Sequence, residues 1–145
     1  MEQREKRMKA RVKWVEDVMF IGESPSGHAI VMDGSSEVGG RNMGVRPMEM
    51  LLLGMGGCSS FDVVGILKKT RAELLDCVVE LEAERADDIP KVFTRIHAHY
   101  IVSGRNLKAA DVERAISLSV EKYCSASIML GKTAELTHDF EIVEV

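Results

Sequence analysis

The chain has 145 residues, 46% of them hydrophobic and 29% charged, with a formal net charge of −4. That length and balance suit a single globular domain, 1–145, with a real core and a charged leader over residues 1–7. An acidic balance argues against a nucleic-acid partner, which needs a basic footprint. The opening "MEQREKRM" lacks the apolar h-region of a secretory signal. No stretch has the roughly 18 continuous apolar residues of a membrane span; Glu49 and Asp62 interrupt the nearest candidate.

The first third reads as strands. "KARVKWV" (9–15) alternates, with Ala10, Val12 and Trp14 on one face. "VMFIGE" follows a charged pair, which suggests a hairpin, and the turn signal "SPSG" introduces a third strand over 28–34. "SSEVGGRNMGVRP" then reads as a long glycine-rich loop, of the kind that tends to be functional or mobile. Pro47 suits the first turn of a helix that runs to Lys69 and is apolar almost all round. Such a helix must be covered on nearly every side, by sheet, by a partner subunit or by both.

"ELLDCVVELEAER" alternates at period two, with Leu75, Cys77, Val79, Leu81 and Ala83 on one face. Cys77 is thereby expected in the core. "VFTRIHAHYIVSG" alternates again and sets Ile96, Ala98, Tyr100 and Val102 opposite Phe93, Arg95, His97 and His99. "LKAADVERAISLSVEKYC" is an amphipathic helix with Ala109, Val112, Ile116, Val120 and Tyr123 on its stripe. "SASIML" is a second short helix closed by Gly131, and "AELTHDFEIVEV" is a last strand. The order is α+β, βββ-α-ββ-αα-β.

Three cysteines, Cys58, Cys77 and Cys124, are widely spaced and odd in number. That disfavours a secreted disulfide framework and places the chain in a reducing cytoplasm. With no CxxC, a zinc ribbon or a thioredoxin motif is excluded. Cys58 follows three glycines in "GMGGC". Ser59 and Asp62 fit a helix-capping pattern, so the helix is expected to break or restart there. Cys58 would then sit near free backbone N–H groups that favour thiolate, and the glycines would let a backbone or substrate approach the sulfur. A buried structural cysteine at a close helix crossing is the competing reading. Cys124 falls at the junction of two helices, again near free donors. His97 and His99 have spacing compatible with a metal, but no third ligand joins them, so they read as exposed strand histidines. Asp62 could reach Cys58 or cap the helix, and Glu121 is similarly open.

Taken together, "RPMEMLLLGMGGCSSFDVVGIL", "PKVFTRIHAHYIVSG" and "VEKYCSASIML" resemble the OsmC/Ohr superfamily of osmotically inducible and organic-hydroperoxide-resistance proteins, most nearly its YhfA-like branch. The likeness runs from Met8 to Val145, and the 66-residue separation of Cys58 and Cys124 suits it. It implies an intertwined homodimer with central long helices wrapped by sheet and active sites at the interface. It also implies a cysteine peroxidase without metal or cofactor. Cys58 would be the reacting thiolate and Cys124 the resolving thiol, with an organic hydroperoxide as substrate and a dithiol as reductant.

Peroxidase members also use an arginine from an early strand and a glutamate just after the helix-opening proline. Here Met48 follows Pro47 and the acid is Glu49. At about 100° per residue, Met48 lies about 80° and Glu49 about 180° round the helix from Cys58. Between Val12 and Asp33 there is no arginine, so Arg41 and Arg46 are the candidate substitutes. The alternative is a non-catalytic member of the fold that binds an apolar small molecule or senses redox state. The nine methionines would line such a pocket or fill the core.

Overall fold

A computed structural model describes residues 7–145. Of the charged leader expected over 1–7, only Arg7 falls within the described residues. The chain divides into two compact units, the first ending at Leu51 and the second spanning Leu52–Val145.

The first unit holds an antiparallel sheet of three strands, β1 (Arg11–Glu16), β2 (Met19–Glu23) and β3 (Ala29–Met32), in that spatial order. The β1–β2 turn passes through Asp17 at φ 49°, whose carbonyl accepts the Trp14 indole N–H at 2.9 Å. β1 is exposed along its whole length, Val12 and Trp14 included. The glycine-rich segment expected as a mobile loop is instead wound around one carboxylate. Asp33 is buried and accepts the N–H groups of Gly34, Arg41 and Met43 at 2.7, 3.2 and 3.1 Å. Burial works against its charge, but these donors and the Arg46 cation outweigh it and hold its pKa below the usual carboxylate value. Gly40 is required there, because a Cβ would collide with the Gly34 carbonyl.

Helix α1 (Pro47–Lys68) starts where the proline predicts. Arg46 is its cap residue, and Glu49 reaches back from the third helical position to accept the Arg46 N–H at 2.8 Å. That is half of a capping box. The expected break at the glycines does not occur: α1 is continuous through Gly54, Gly56 and Gly57. By length and composition it is the one described helix that could cross a membrane.

The second unit packs the greater part of α1 on a sheet of order β4-β5-β6, with β4 Glu73–Arg85, β5 Phe93–Arg105 and β6 Glu135–Glu144. β4 and β5 are antiparallel, whereas β5 and β6 are parallel. A parallel pair needs a crossover, here α2 (Ala109–Leu118), a π-turn (Ser119–Tyr123) and α3 (Ser125–Leu130). The core joins Val63 and Leu67 of α1, Tyr100 and Val102 of β5, and Val112 and Ile116 of α2. The β5 alternation holds from Ile96 to Val102.

Two bulges correct the expected faces. One lies between Leu74 and Asp76, so Leu75 is exposed while Leu74 and Cys77 pack on the core. The other lies between Glu84 and Arg85 and turns Phe93 inward, away from the histidine face. Tyr123, expected on the buried stripe, is exposed, because the π-turn carries it off the 3.6-residue period.

His97 and His99 flank one acceptor, Asp139 on β6, at 2.9 and 2.7 Å. The Asp139 hydrogen bond raises the His99 pKa from 6.5 against the opposing effect of burial, and the same bond lowers that of Asp139 from 3.8. A raised histidine pKa stabilises below the unfolded value and is lost as pH climbs through the folded one. The lowered carboxylate contributes above its unfolded value and is lost as pH falls. The pair is thus most favourable between those two limits. Proton NMR should place the His99 midpoint above an ordinary histidine's, and Asp139→Asn should bring it down. An unmoved midpoint would show that Asp139 is not what sets it.

Candidate functional site

The second unit brings Cys58 and Cys124 together although they lie far apart in sequence. Both are free thiols, Cys58 half-buried on α1 and Cys124 fully buried. Cys124 Sγ lies 3.9 Å from the carbonyl of Met55, one turn before Cys58 on α1, and Cys58 is near enough to influence the Cys124 pKa.

Cys124 owes its position to the π-turn. Its N–H bonds the Ser119 carbonyl at 2.7 Å, closing an i to i+5 turn, and the backbone then leaves helical geometry at φ −79°, ψ 100°. That extended residue is the N-cap of α3, and its side chain does the capping. Cys124 Sγ accepts the Ser127 N–H at 3.3 Å and the Ser127 hydroxyl at 3.0 Å. It also faces the Met55 carbonyl at 3.9 Å. The free donors expected beside both thiols are found at Cys124 only, since the unbroken α1 gives Cys58 no free N–H groups.

Burial pushes the Cys124 thiol above its ordinary pKa. The two Ser127 donors pull the other way, and the neighbouring Cys58 pushes it further up. Reduced Cys124 is held as a thiol beside donors that favour thiolate once it forms. Ser127→Ala removes one hydrogen bond to a Cys124 thiolate, about 1.5 kcal/mol, so in an oxidation that links Cys58 with Cys124 closure should slow several-fold. Rapid quenching and thiol alkylation would measure this, and an unchanged rate would deny Ser127 the role.

Beside the thiols runs a buried chain of hydroxyls. Tyr100 OH and Ser59 Oγ are 2.6 Å apart, Ser119 Oγ lies 2.9 Å from Ser59 Oγ, and it donates to Asp62 Oδ2 at 2.9 Å. Tyr100, Ser59 and Ser119 are essentially without solvent exposure. Burial is the main cause raising the Tyr100 pKa, while the Ser59 bond opposes it. Ser59 and Asp62, read from sequence as a cap, are members of this chain instead. Ser59 shares a stripe with Met55, Val63 and Leu67 at four-residue spacing. A serine on that stripe, facing a tyrosine on the core face of a strand, was the available signal for the network.

The glycines of α1 divide in purpose. A Cβ on Gly56 would lie 2.7 Å from Leu81 Cδ1, so this glycine lets α1 lie close on the sheet. Gly54, Gly57 and Gly65 face open space.

The other three candidates lie in the first unit, each with partners there. Arg41 pairs with Glu16 at 2.7 Å and Asp17 at 3.2 Å. Arg46 donates to Asn42 Oδ1 at 2.6 Å and to the Gly44 carbonyl at 3.1 Å. Glu49 serves the α1 cap. The early strands do hold an arginine: β1 begins at Arg11, one residue before the stretch taken to lack one, and pairs across the strands with Glu23 at 3.3 Å.

The OsmC-like protein family model matches residues 39–139. Protein YhfA of Escherichia coli K12 is 52% identical over 136 residues, covering 94% of this chain and 98% of its own length. A crystal structure of a hypothetical protein from Aquifex aeolicus VF5 has a TM-score of 0.83 at 29% identity, covering 96% of this chain and 98% of its own. The organic hydroperoxide resistance protein OhrB of Bacillus subtilis aligns with a TM-score of 0.62 at 15% identity, over 93% of this chain and 98% of its own, a likeness of fold.

Proposed function

The chain belongs to the OsmC-like family, and from that premise we propose that it is a cytoplasmic thiol peroxidase that reduces organic hydroperoxides in oxidative-stress defence. The observation that carries this reading is the meeting of two free thiols, one half-buried on a helix and one buried at a helix N-cap.

Cys58 thiolate attacks the terminal oxygen of the hydroperoxide. The O–O bond breaks, the alkoxide leaves and takes a proton to become the alcohol, and Cys58 becomes a sulfenic acid. Cys124 then attacks the Cys58 sulfur. The S–O bond breaks, and hydroxide leaves with the Cys124 proton as water, leaving a disulfide. A dithiol reductant returns both thiols and is itself oxidised to a disulfide. Sulfenic acid is the reversible rung of cysteine oxidation, so a resolving thiol already in place guards against further oxidation. The chemistry needs no metal or organic cofactor.

The reading includes a homodimer. Phe61 is 82% and Leu53 58% exposed on α1, beside the open Gly54, Gly57 and Gly65. A second copy of the chain laid on that face would cover it and accounts for a helix apolar all round.

The test is cumene hydroperoxide consumption by the wild-type protein with a dithiol, together with loss of two thiols per chain on treatment with hydroperoxide alone. Turnover coupled to closure of Cys58 with Cys124 is expected. No consumption overturns the reading. A cleft of about 500 Å³ lined in part by Phe61, Ile66, Leu118 and Tyr123 favours a second reading, a binder of apolar small molecules. Ligand binding that survives Cys58→Ser, in a protein that consumes no hydroperoxide, would select it.

A further inference from the structure

We propose that Tyr100, Ser59, Ser119 and Asp62 form a hydrogen-bond chain that sets the spacing of Cys58 and Cys124, and with it how readily the pair closes to a disulfide. They are positioning residues, and the proposal rests on the reading of Cys58 and Cys124 as a redox pair.

The hub of the chain is Ser119. Its hydroxyl is placed to donate to Asp62 Oδ2 at 2.9 Å, to Ser59 Oγ at 2.9 Å and to the Ser59 carbonyl at 3.4 Å. It carries one proton, and the carboxylate is the strongest of the three acceptors. Ser59 Oγ shares a further hydrogen bond of 2.6 Å with Tyr100 OH. Every acceptor of the Ser119 proton therefore belongs to α1, and Ser59 carries the contact on to the sheet. In a dry interior of low dielectric such linked hydrogen bonds reinforce one another.

What the chain joins gives it a role. Ser59 and Asp62 sit one and four residues after Cys58, on the same turns of α1. Ser119 begins the π-turn, and its carbonyl receives the Cys124 N–H at 2.7 Å. The residue gripped by α1 through its side chain thus holds Cys124 through its backbone. Tyr100, fully buried on the central strand, anchors the same point to the sheet. A π-turn is a one-residue insertion in a helix that recurs at functional sites, and here the hydroxyl chain ties its first residue to the cysteine helix. Loosening the tie lets the two thiols separate and lowers their effective concentration toward each other.

The test is the redox equilibrium of the pair in glutathione buffers, read by mass spectrometry with the linked cysteines mapped, for wild type, Ser119→Ala, Asp62→Asn and Tyr100→Phe. Ser119→Ala should weaken the disulfide about tenfold, a rise of about 30 mV in potential for this two-electron couple. Asp62→Asn keeps a neutral acceptor and should shift it less. A loss of stability shared by the oxidised and reduced forms leaves the potential unmoved, so thermal melts of both forms separate positioning from mere folding. Potentials of Ser119→Ala and Asp62→Asn equal to or more negative than wild type would overturn the proposal, as would failure of the wild-type pair to close in oxidised glutathione. A pair that closes with glutathione but not with hydroperoxide sinks the peroxidase reading and leaves this one standing.

Discussion

On the proposed peroxidase mechanism, Cys58→Ser is expected to lower kcat/KM for an organic hydroperoxide by about three orders of magnitude or more, because it removes the group proposed to break the O–O bond. A serine hydroxyl has neither the acidity nor the soft nucleophilicity of a thiolate. Cys124→Ser should behave differently. The first step survives, one equivalent of hydroperoxide is consumed, and the enzyme stops as a Cys58 sulfenic acid that a cyclic diketone traps. Cys77, packed on the core from β4, takes no part, and its pKa is raised chiefly by burial. Cys77→Ala should therefore retain turnover even where it costs stability. Peroxide loss followed in the presence of a dithiol separates the three. Equal turnover in Cys58→Ser and wild type would remove Cys58 from the mechanism.

The elements were legible because their periods are strong. Strict alternation marked β4 and β5, and proline at the first turn marked the start of α1. What escaped were departures from period. The bulge at Leu75 exchanges which residue faces the core without changing composition, and the π-turn at Ser119–Tyr123 adds one residue to a helix that otherwise reads as regular. The glycines misled in the opposite direction. Local propensity counts three of them as a break, but packing of the Met55, Ser59, Val63 and Leu67 stripe carries α1 through. That continuity denies Cys58 the N-terminal thiol environment expected of both cysteines and leaves it to Cys124 alone. Adjacency of the two cysteines followed from family resemblance, since periodicity says nothing about residues 66 apart. The hydroxyl chain was invisible for a related reason. Serine and tyrosine on apolar stripes look like interruptions until two elements bring them face to face.

The same glycines support the second large prediction. Gly54, Gly57 and Gly65 have nothing within 4 Å of a Cβ, so in an isolated chain each would be improved by alanine, by about 1 kcal/mol of helix propensity. Gly54, Gly57, Phe61 and Gly65 share the side of α1 opposite the stripe that packs on the sheet. Small residues there let a second helix approach closely, and Phe61, 82% exposed, supplies apolar area to bury. In a dimer built on that face, Gly57→Leu overpacks the contact at a cost of about 1–3 kcal/mol per copy, or roughly 2–6 kcal/mol for the two symmetric sites. The dimer should then dissociate about a hundredfold more readily or not form at all. Sedimentation over a range of protein concentrations reads the result directly. If the face were free, Gly57→Leu would leave the mass unchanged and raise the melting temperature, because leucine is the better helix former. The sign of the stability change thus distinguishes a covered face from an open one. On the proposed reading, which sets active sites at the interface, loss of the dimer would carry loss of hydroperoxide turnover with it, while the proximity of Cys58 to Cys124, made within one chain, would persist.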